Sequence, residues 1–225
     1  MRVLASADVH GRLAVYEWLL TTAREHDVEA ILLAGDLLGC PDGFDTPEDA
    51  QRHDAQTLTD LLEAACVPVL YIMGNDDLVE LDSRSTRVQS IHNRRVTVGA
   101  FNFLGYQYSL PFMGGLFEKA EDGIETDLAA LTSLVDSHTV FVSHSPALGI
   151  LDSGFGESRI GSGSLLRFLE RNPFLVHVHG HSHAGFGRWE KHLNVASAGQ
   201  TRAMIVNLGT MQHEVLGVER TGLEA

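Results

Sequence analysis

The chain reads as an α/β fold in a single domain spanning residues 1–225. Three observations predict this. The first third alternates short apolar runs with amphipathic segments, the order of parallel strands joined by helical crossovers. The length suffices to bury one full core, and no stretch rich in Pro, Gly or charge marks a boundary. Short polar clusters stand at the ends of the apolar runs, where open α/β sheets form their ligand crevice.

Taken in order, Val3–Ala7 reads as the first strand. In Leu13–His26, Leu13, Tyr16, Leu19, Leu20 and Ala23 recur at helical spacing. Ala30–Ala34 is a second strand, followed by an acidic loop from Gly39 to Asp49. A helix then runs through Leu58, Leu61, Leu62 and Ala65. Pro68 opens a third strand, Val69–Met73, at a position compatible with an edge. Arg94–Leu110, with Gly99 and Gly105 among its aromatic and branched residues, reads as hairpin structure, and its aromatic stripe from Phe101 to Phe112 as hairpin core. Glu125–Val135 returns to helix and Thr139–Val142 to strand. Ser162–Leu169 is a helix with Ser162 or Ser164 as N-cap, and Leu175–Val178 is a strand. Gly187–Glu190, Ala203–Asn207 and His213–Val218 form a tail of short strands.

Composition narrows the function. A net charge of −14 argues against general nucleic-acid or anionic-membrane binding, because no basic patch offsets phosphate repulsion. Two cysteines give no disulfide framework and fit a reducing compartment. Strand-like sequence from Arg2 leaves no room for a signal peptide, and no apolar stretch is long enough to span a bilayer. The expectation is a soluble cytoplasmic protein.

Five polar clusters carry the chemistry: Asp8-Val9-His10, Gly35-Asp36, Gly74-Asn75-Asp76, Ser143-His144-Ser145 and Gly180-His181-Ser182-His183. Each follows an apolar run. Carboxylate, imidazole and amide oxygen together are the mixed donor set that intermediate divalent cations accept.

In order and placement these clusters resemble the calcineurin-like metallophosphoesterase superfamily, whose blocks run D-x-H, G-D, G-N-H-[DE], a lone His and G-H-x-H. The resemblance extends from residue 3 to about residue 210. It implies a four-layer α/β/β/α sandwich of two mixed β-sheets flanked by helices. It also implies two divalent metal ions. Asp8, His10, Asp36 and His183 would hold the first; Asp36 would bridge; Asn75, His144 and His181 would complete the second. Such a centre hydrolyses phosphate esters by attack of a metal-bridging hydroxide, with cations about 3.5–4 Å apart clamping the phosphoryl group. Manganese, iron, nickel, cobalt and zinc all suit the donors. The resemblance implies a small phosphorylated substrate, a phosphodiester or nucleotide-type ester. The alternative is a non-catalytic relative that keeps the fold as a binding scaffold, against which the full set of seven donors weighs. A zinc lactamase-type site would need an H-x-H-x-D-H cluster, which is absent.

The sequence departs from the family at Asp76, where the block has the histidine that protonates the leaving group. Asp76 reads as a charged group beside the metals, with a helix-start carboxylate as the alternative. Asp77 reads as a helix-start carboxylate. Arg12 is a candidate phosphate contact, with a solvated first-turn arginine as the alternative. His177 and His179 read as packed residues behind the site. The remaining histidines read as surface or structural, although His53 could reach the mouth. Substrate choice is expected to reside in Gly39–Asp49, Gly114–Gly123 and Gly154–Gly161.

Overall fold

The computed structural model describes residues 1–218 apart from 84, 155 and 157, so the expectation for Gly154–Gly161 lies partly outside the described residues. In chain order the first elements are β1 (Arg2–Ser6), α1 (Leu13–Glu25), β2 (Ala30–Ala34), α2 (Pro47–Glu63), β3 (Val69–Ile72), β4 (Val88–Ser90), β5 (Arg95–Val98) and β6 (Phe101–Tyr106). Then come α3 (Glu121–Leu131), β7 (Thr139–Ser143), α4 (Gly163–Arg171), β8 (Val176–His179), β9 (Gly187–Trp189), β10 (His192–Asn194), β11 (Thr201–Asn207) and β12 (His213–Val218).

Two mixed six-stranded sheets result, ordered β12-β11-β1-β2-β3-β4 and β5-β6-β7-β8-β10-β9. Side chains on a strand alternate between faces, and here each face finds its own core. Leu4, Ile31, Leu33, Val69 and Tyr71 pack with Tyr16 and Leu19 of α1 and Leu58 and Leu62 of α2. The opposite faces, with Val3, Ala5, Leu32 and Ile72, meet Phe103, Val140, Val142 and Val178 of the second sheet. The outer face of that sheet, with Leu104 and Phe141, packs with Leu128 of α3 and Phe168 of α4. Three separate apolar interfaces therefore define four layers, the α/β/β/α sandwich.

Several boundaries differ from the sequence reading for local reasons. Helix α2 begins inside the expected acidic loop, because the Thr46 hydroxyl caps Asp49 N at 3.1 Å and Pro47 occupies the first turn. Helix α3 starts at Glu121, four residues early. The Glu121 carboxylate accepts Gly163 N and Ser164 N at 2.7 and 2.9 Å, tying α3 to the start of α4. Ser162 is the α4 cap, accepting Leu165 N at 3.1 Å. Strand β3 lies inside its sheet, between β2 and β4. Pro68 is tolerated there because it precedes the ladder, and its carbonyl accepts Ile31 N at 2.9 Å. β4 and β10, three residues each, are too short to show a period.

Candidate metal centre

In both sheets the central strands run parallel: β1, β2 and β3 in one, and β6, β7 and β8 in the other. Their carboxyl ends thus open on one rim. Asp8 and His10 follow β1, Asp36 follows β2, Asn75 and Asp76 follow β3, His144 follows β7, and His181 and His183 follow β8. The rim loops brace one another through the backbone. Asp8 N, His10 N and Gly11 N donate to the carbonyls of Gly35, Asp36 and Leu37 at 2.9, 3.0 and 2.8 Å. This bracing sustains left-handed φ angles of 54, 50, 52 and 63° at Asp8, His10, Asp36 and His181. Each such angle costs on the order of 1–3 kcal/mol at a residue other than glycine. Four of the seven predicted donors are therefore held in a conformation that Asp, Asn and His adopt more readily than other non-glycine residues.

The side chains converge in overlapping groups. Asp8, His10 and His183 bring ligand atoms within 4.8 Å of one another, as do Asp36, His144 and His181, and also His10, Asp36 and Asp76. His183 Nε2 lies 3.2 Å from Asp8 Oδ1. His144 Nε2 lies 3.1 Å from Asn75 Oδ1 and 3.3 Å from Asp36 Oδ1. The two neighbouring glycines are required by these approaches. A Cβ on Gly74 would overlap Asp36 Oδ1, and one on Gly180 would overlap Asp8 Oδ2.

The donor set fits divalent cations. Asp8 and Asp36 are buried carboxylates, paired with His183 and His144 of the site respectively. Burial pushes the Asp36 carboxyl up, but the His144 charge and hydrogen bond, with His10 behind, outweigh it and hold Asp36 well below the usual range. Burial depresses the His144 imidazole, but Asp36 lifts it to about 10. Asp36 and His144 would together hold a cation, which would replace the proton that the imidazole carries without it. His181 is held at about 4 by burial and by the His144 charge, leaving it neutral, the form that ligates metal.

Of the other residues singled out in the sequence, Asp76 stands on the rim, its Oδ2 3.6 Å from His10 Nδ1. Burial and the Asp36 charge push its carboxyl up. Arg12 turns its guanidinium to Val9 O at 3.2 Å, Ser197 Oγ at 2.7 Å and Gln200 O at 2.5 Å, fastening the loop between β1 and α1 to the segment before β11. His177 and His179 are fully buried behind the centre, their rings stacked at 5.0 Å. His53 lies against the Phe44 ring at 5.1 Å.

Two expectations need correction. Asp77 begins no helix. It is fully buried, and its carboxylate accepts Leu37 N, Leu38 N and Gly74 N at 2.9, 2.8 and 2.8 Å. It ties the loop carrying Asn75 to the loop carrying Asp36. Phe112 is not hairpin core: β6 ends at Tyr106, and Phe112 is exposed beside the centre, its ring edge-on to His181 at 6.4 Å. Pro111 and the glycines at 114 and 115, which end the alternation, are the signal that marks this break in the sequence.

The family model for calcineurin-like phosphoesterases matches residues 1–185. A UPF0046 protein of Caenorhabditis elegans is 34% identical over 105 residues, covering 45% of this chain and 34% of that protein. The chain thus spans about a third of the length of this curated relative. Among solved structures, TT1561 of Thermus thermophilus superposes with a TM-score of 0.73 at 17% identity, covering 96% of this chain and 98% of that one. A dimetal phosphatase from Danio rerio superposes with a TM-score of 0.61 at 13% identity over the same shares. These likenesses share the fold.

Proposed function

We propose that this chain, which belongs to the calcineurin-like phosphoesterase family, is a metal-dependent hydrolase of phosphate esters that prefers diester or nucleotide-type substrates. The observation that carries the reading is the overlap of the donor groups. His10 belongs both to the group with Asp8 and His183 and to the group with Asp36, while Asp36 also belongs with His144 and His181. Asp36 therefore stands between two sets of donors, as a carboxylate shared by two cations must.

On this reading Asp8, His10, Asp36 and His183 hold one ion, and Asp36, Asn75, His144 and His181 hold the other. Two such ions, when bound, supply an activated water and neutralise charge on the phosphoryl group during in-line displacement. The protein's own contribution is positional. The buried Asp77 carboxylate and the braced loops fix Asp36 and Asn75 before any ion arrives, so little reorganisation accompanies reaction. All donors come from one pair of sheets, which supports a single domain. Among the described residues no helix is long and apolar enough to cross a bilayer.

The test is metal analysis of purified protein together with hydrolysis of a panel of monoesters, cyclic nucleotides, linear diesters and dinucleoside polyphosphates. Two metals per chain and metal-dependent diester hydrolysis are expected. A protein that retains no metal and cleaves nothing in the panel would be the non-catalytic scaffold instead.

A further inference from the structure

We propose that the bowl over the metal centre selects phosphate esters whose ester group is aromatic and uncharged, and that Phe112 is the residue that binds this group. The proposal rests on the phosphoesterase reading of the centre beneath.

The floor of the bowl is Asp36, Asn75, Asp76, His181 and His183, and its upper wall is Phe112, Met113, Ile160 and Ala184. Its volume is about 290 Å³, just below the range usual for small-molecule sites (about 300–1,000 Å³), which suits a small ester group. Phe112 and Met113 are 59% and 73% exposed. Large apolar side chains so placed do nothing for the core.

The loop that carries them is nonetheless fixed. The Glu118 carboxylate accepts Phe112 N, Met113 N and Gly114 N at 2.9, 2.9 and 2.8 Å. Burial pushes that carboxyl up, but the loop amides outweigh it and keep it below the usual range, so Glu118 stays charged. The loop is in turn held by Ser109 N on Phe117 O at 3.0 Å and Lys119 N on Ser109 O at 2.9 Å. The fixed loop backbone keeps the Phe112 ring beside the centre, where it offers an aromatic face to a bound group.

Charge sets the second half of the proposal. No lysine or arginine is among the described residues lining the bowl, and Asp36 and Asp76 add negative charge to its floor. The chain as a whole carries −14. An anionic group on the ester would meet no countercharge there, beyond the cations that engage the phosphoryl oxygens.

The test is calorimetric binding of methyl-, phenyl-, 2-naphthyl- and 4-carboxyphenylphosphonate to manganese-loaded protein. None of these can be hydrolysed, so binding is read apart from turnover. Phenylphosphonate should bind about tenfold tighter than methylphosphonate. The naphthyl compound should bind at least as tightly, and the 4-carboxyphenyl compound should lose most of the gain. Phe112→Ala should bring the phenyl-to-methyl ratio near one, and Met113→Ala should lower it less. Glu118→Ala, which releases the loop amides without touching ligand, should also lower it. Equal affinity for phenyl and methyl compounds, an unchanged ratio in Phe112→Ala, or no phosphonate binding at all would overturn the proposal. Hydrolysis of methyl and phenyl 4-nitrophenyl phosphate, which share a leaving group, is measured in parallel. Selective phenyl binding without hydrolysis of either would remove the phosphoesterase reading and leave the aromatic site standing.

Discussion

Asp36 Oδ1 accepts the backbone N–H of Asp76 at 2.9 Å. The carboxylate that lies between the two donor groups is therefore also fastened to the loop after β3. On the proposed two-ion reading, removing it would open both ion positions and release the segment carrying Asn75. Asp36→Ala should abolish metal-dependent hydrolysis more completely than any substitution outside the seven donors. Metal content and turnover of the purified variant check this. Two tightly bound ions with near-normal turnover would show that Asp36 is not shared.

Asp77 gives a prediction about stability. Its carboxylate satisfies three backbone N–H groups from two loops, and Asp77→Ala would leave them buried and unpaired. The cost should be about 3–5 kcal/mol, a fall in Tm on the order of 10 °C. Asp77→Asn keeps one acceptor oxygen for Leu37 N and Leu38 N but turns an amide N–H₂ towards Gly74 N, so an intermediate loss is expected. Thermal unfolding without metal separates the two variants. Equal Tm for wild type and Asp77→Ala would mean the three bonds are replaced by water.

The contrast between Asp36 and Asp77 shows what is legible in the sequence. That Asp36, His144 and the other proposed donors converge can be read because strand ends mark where side chains meet. The four layers follow from the resemblance, and the two-residue alternation of Leu4 and Ala5 or Leu32 and Leu33 accounts for them. Asp77 reads as a helix start because a carboxylate after a strand end looks the same whether it caps a helix or ties two loops. The difference lies in Leu37 and Leu38, forty and thirty-nine residues earlier. Phe112 reads as hairpin core because aromatic alternation carries no mark of where a strand stops bonding. The guanidinium of Arg12 faces residues 185 and 188 positions away in sequence, a pairing no local pattern encodes.

Buried imidazoles should make stability sensitive to acid. Burial, with Lys119 nearby, holds His92 at about 4, and burial with Lys191 does the same to His192. His177, buried against His179 and His192, is pushed well below the ordinary range. The unfolded chain, with imidazoles near 6.5 (about the model-peptide value), binds protons first. Stability from these groups is complete above about pH 6.5 and is lost as pH falls towards 4. Tm of metal-free protein should drop between pH 7 and pH 5, and less steeply in His92→Gln. A flat profile would mean that these rings gain no proton on unfolding.

Chelation should inactivate the enzyme reversibly, and manganese should restore activity at least as well as magnesium. Magnesium favours oxygen-only octahedral sites and keeps its waters, whereas His10, His144, His181 and His183 supply four imidazoles to the proposed site. Full activity with magnesium alone, after rigorous removal of other ions, would count against this donor assignment.

The last prediction concerns Asp76, where the family block has its proton-donating histidine. An aspartate donates only if its pKa rises towards the working pH. In the metal-free chain, burial and Asp36 push it that way, with His10 opposing. Two bound cations beside it would reverse the balance and favour the carboxylate. Asp76 should therefore be charged in the loaded enzyme and supply no proton. General acid catalysis typically contributes about 10²–10⁴-fold, so alkyl monoesters should be poor substrates and aryl or activated diesters better ones. In the wild type, kcat/KM should fall steeply as the leaving group becomes more basic. Asp76→His should flatten that slope by restoring reaction with the most basic leaving groups. A flat dependence in the wild type, or a variant that gains nothing selectively, would place the proton donor elsewhere on the rim.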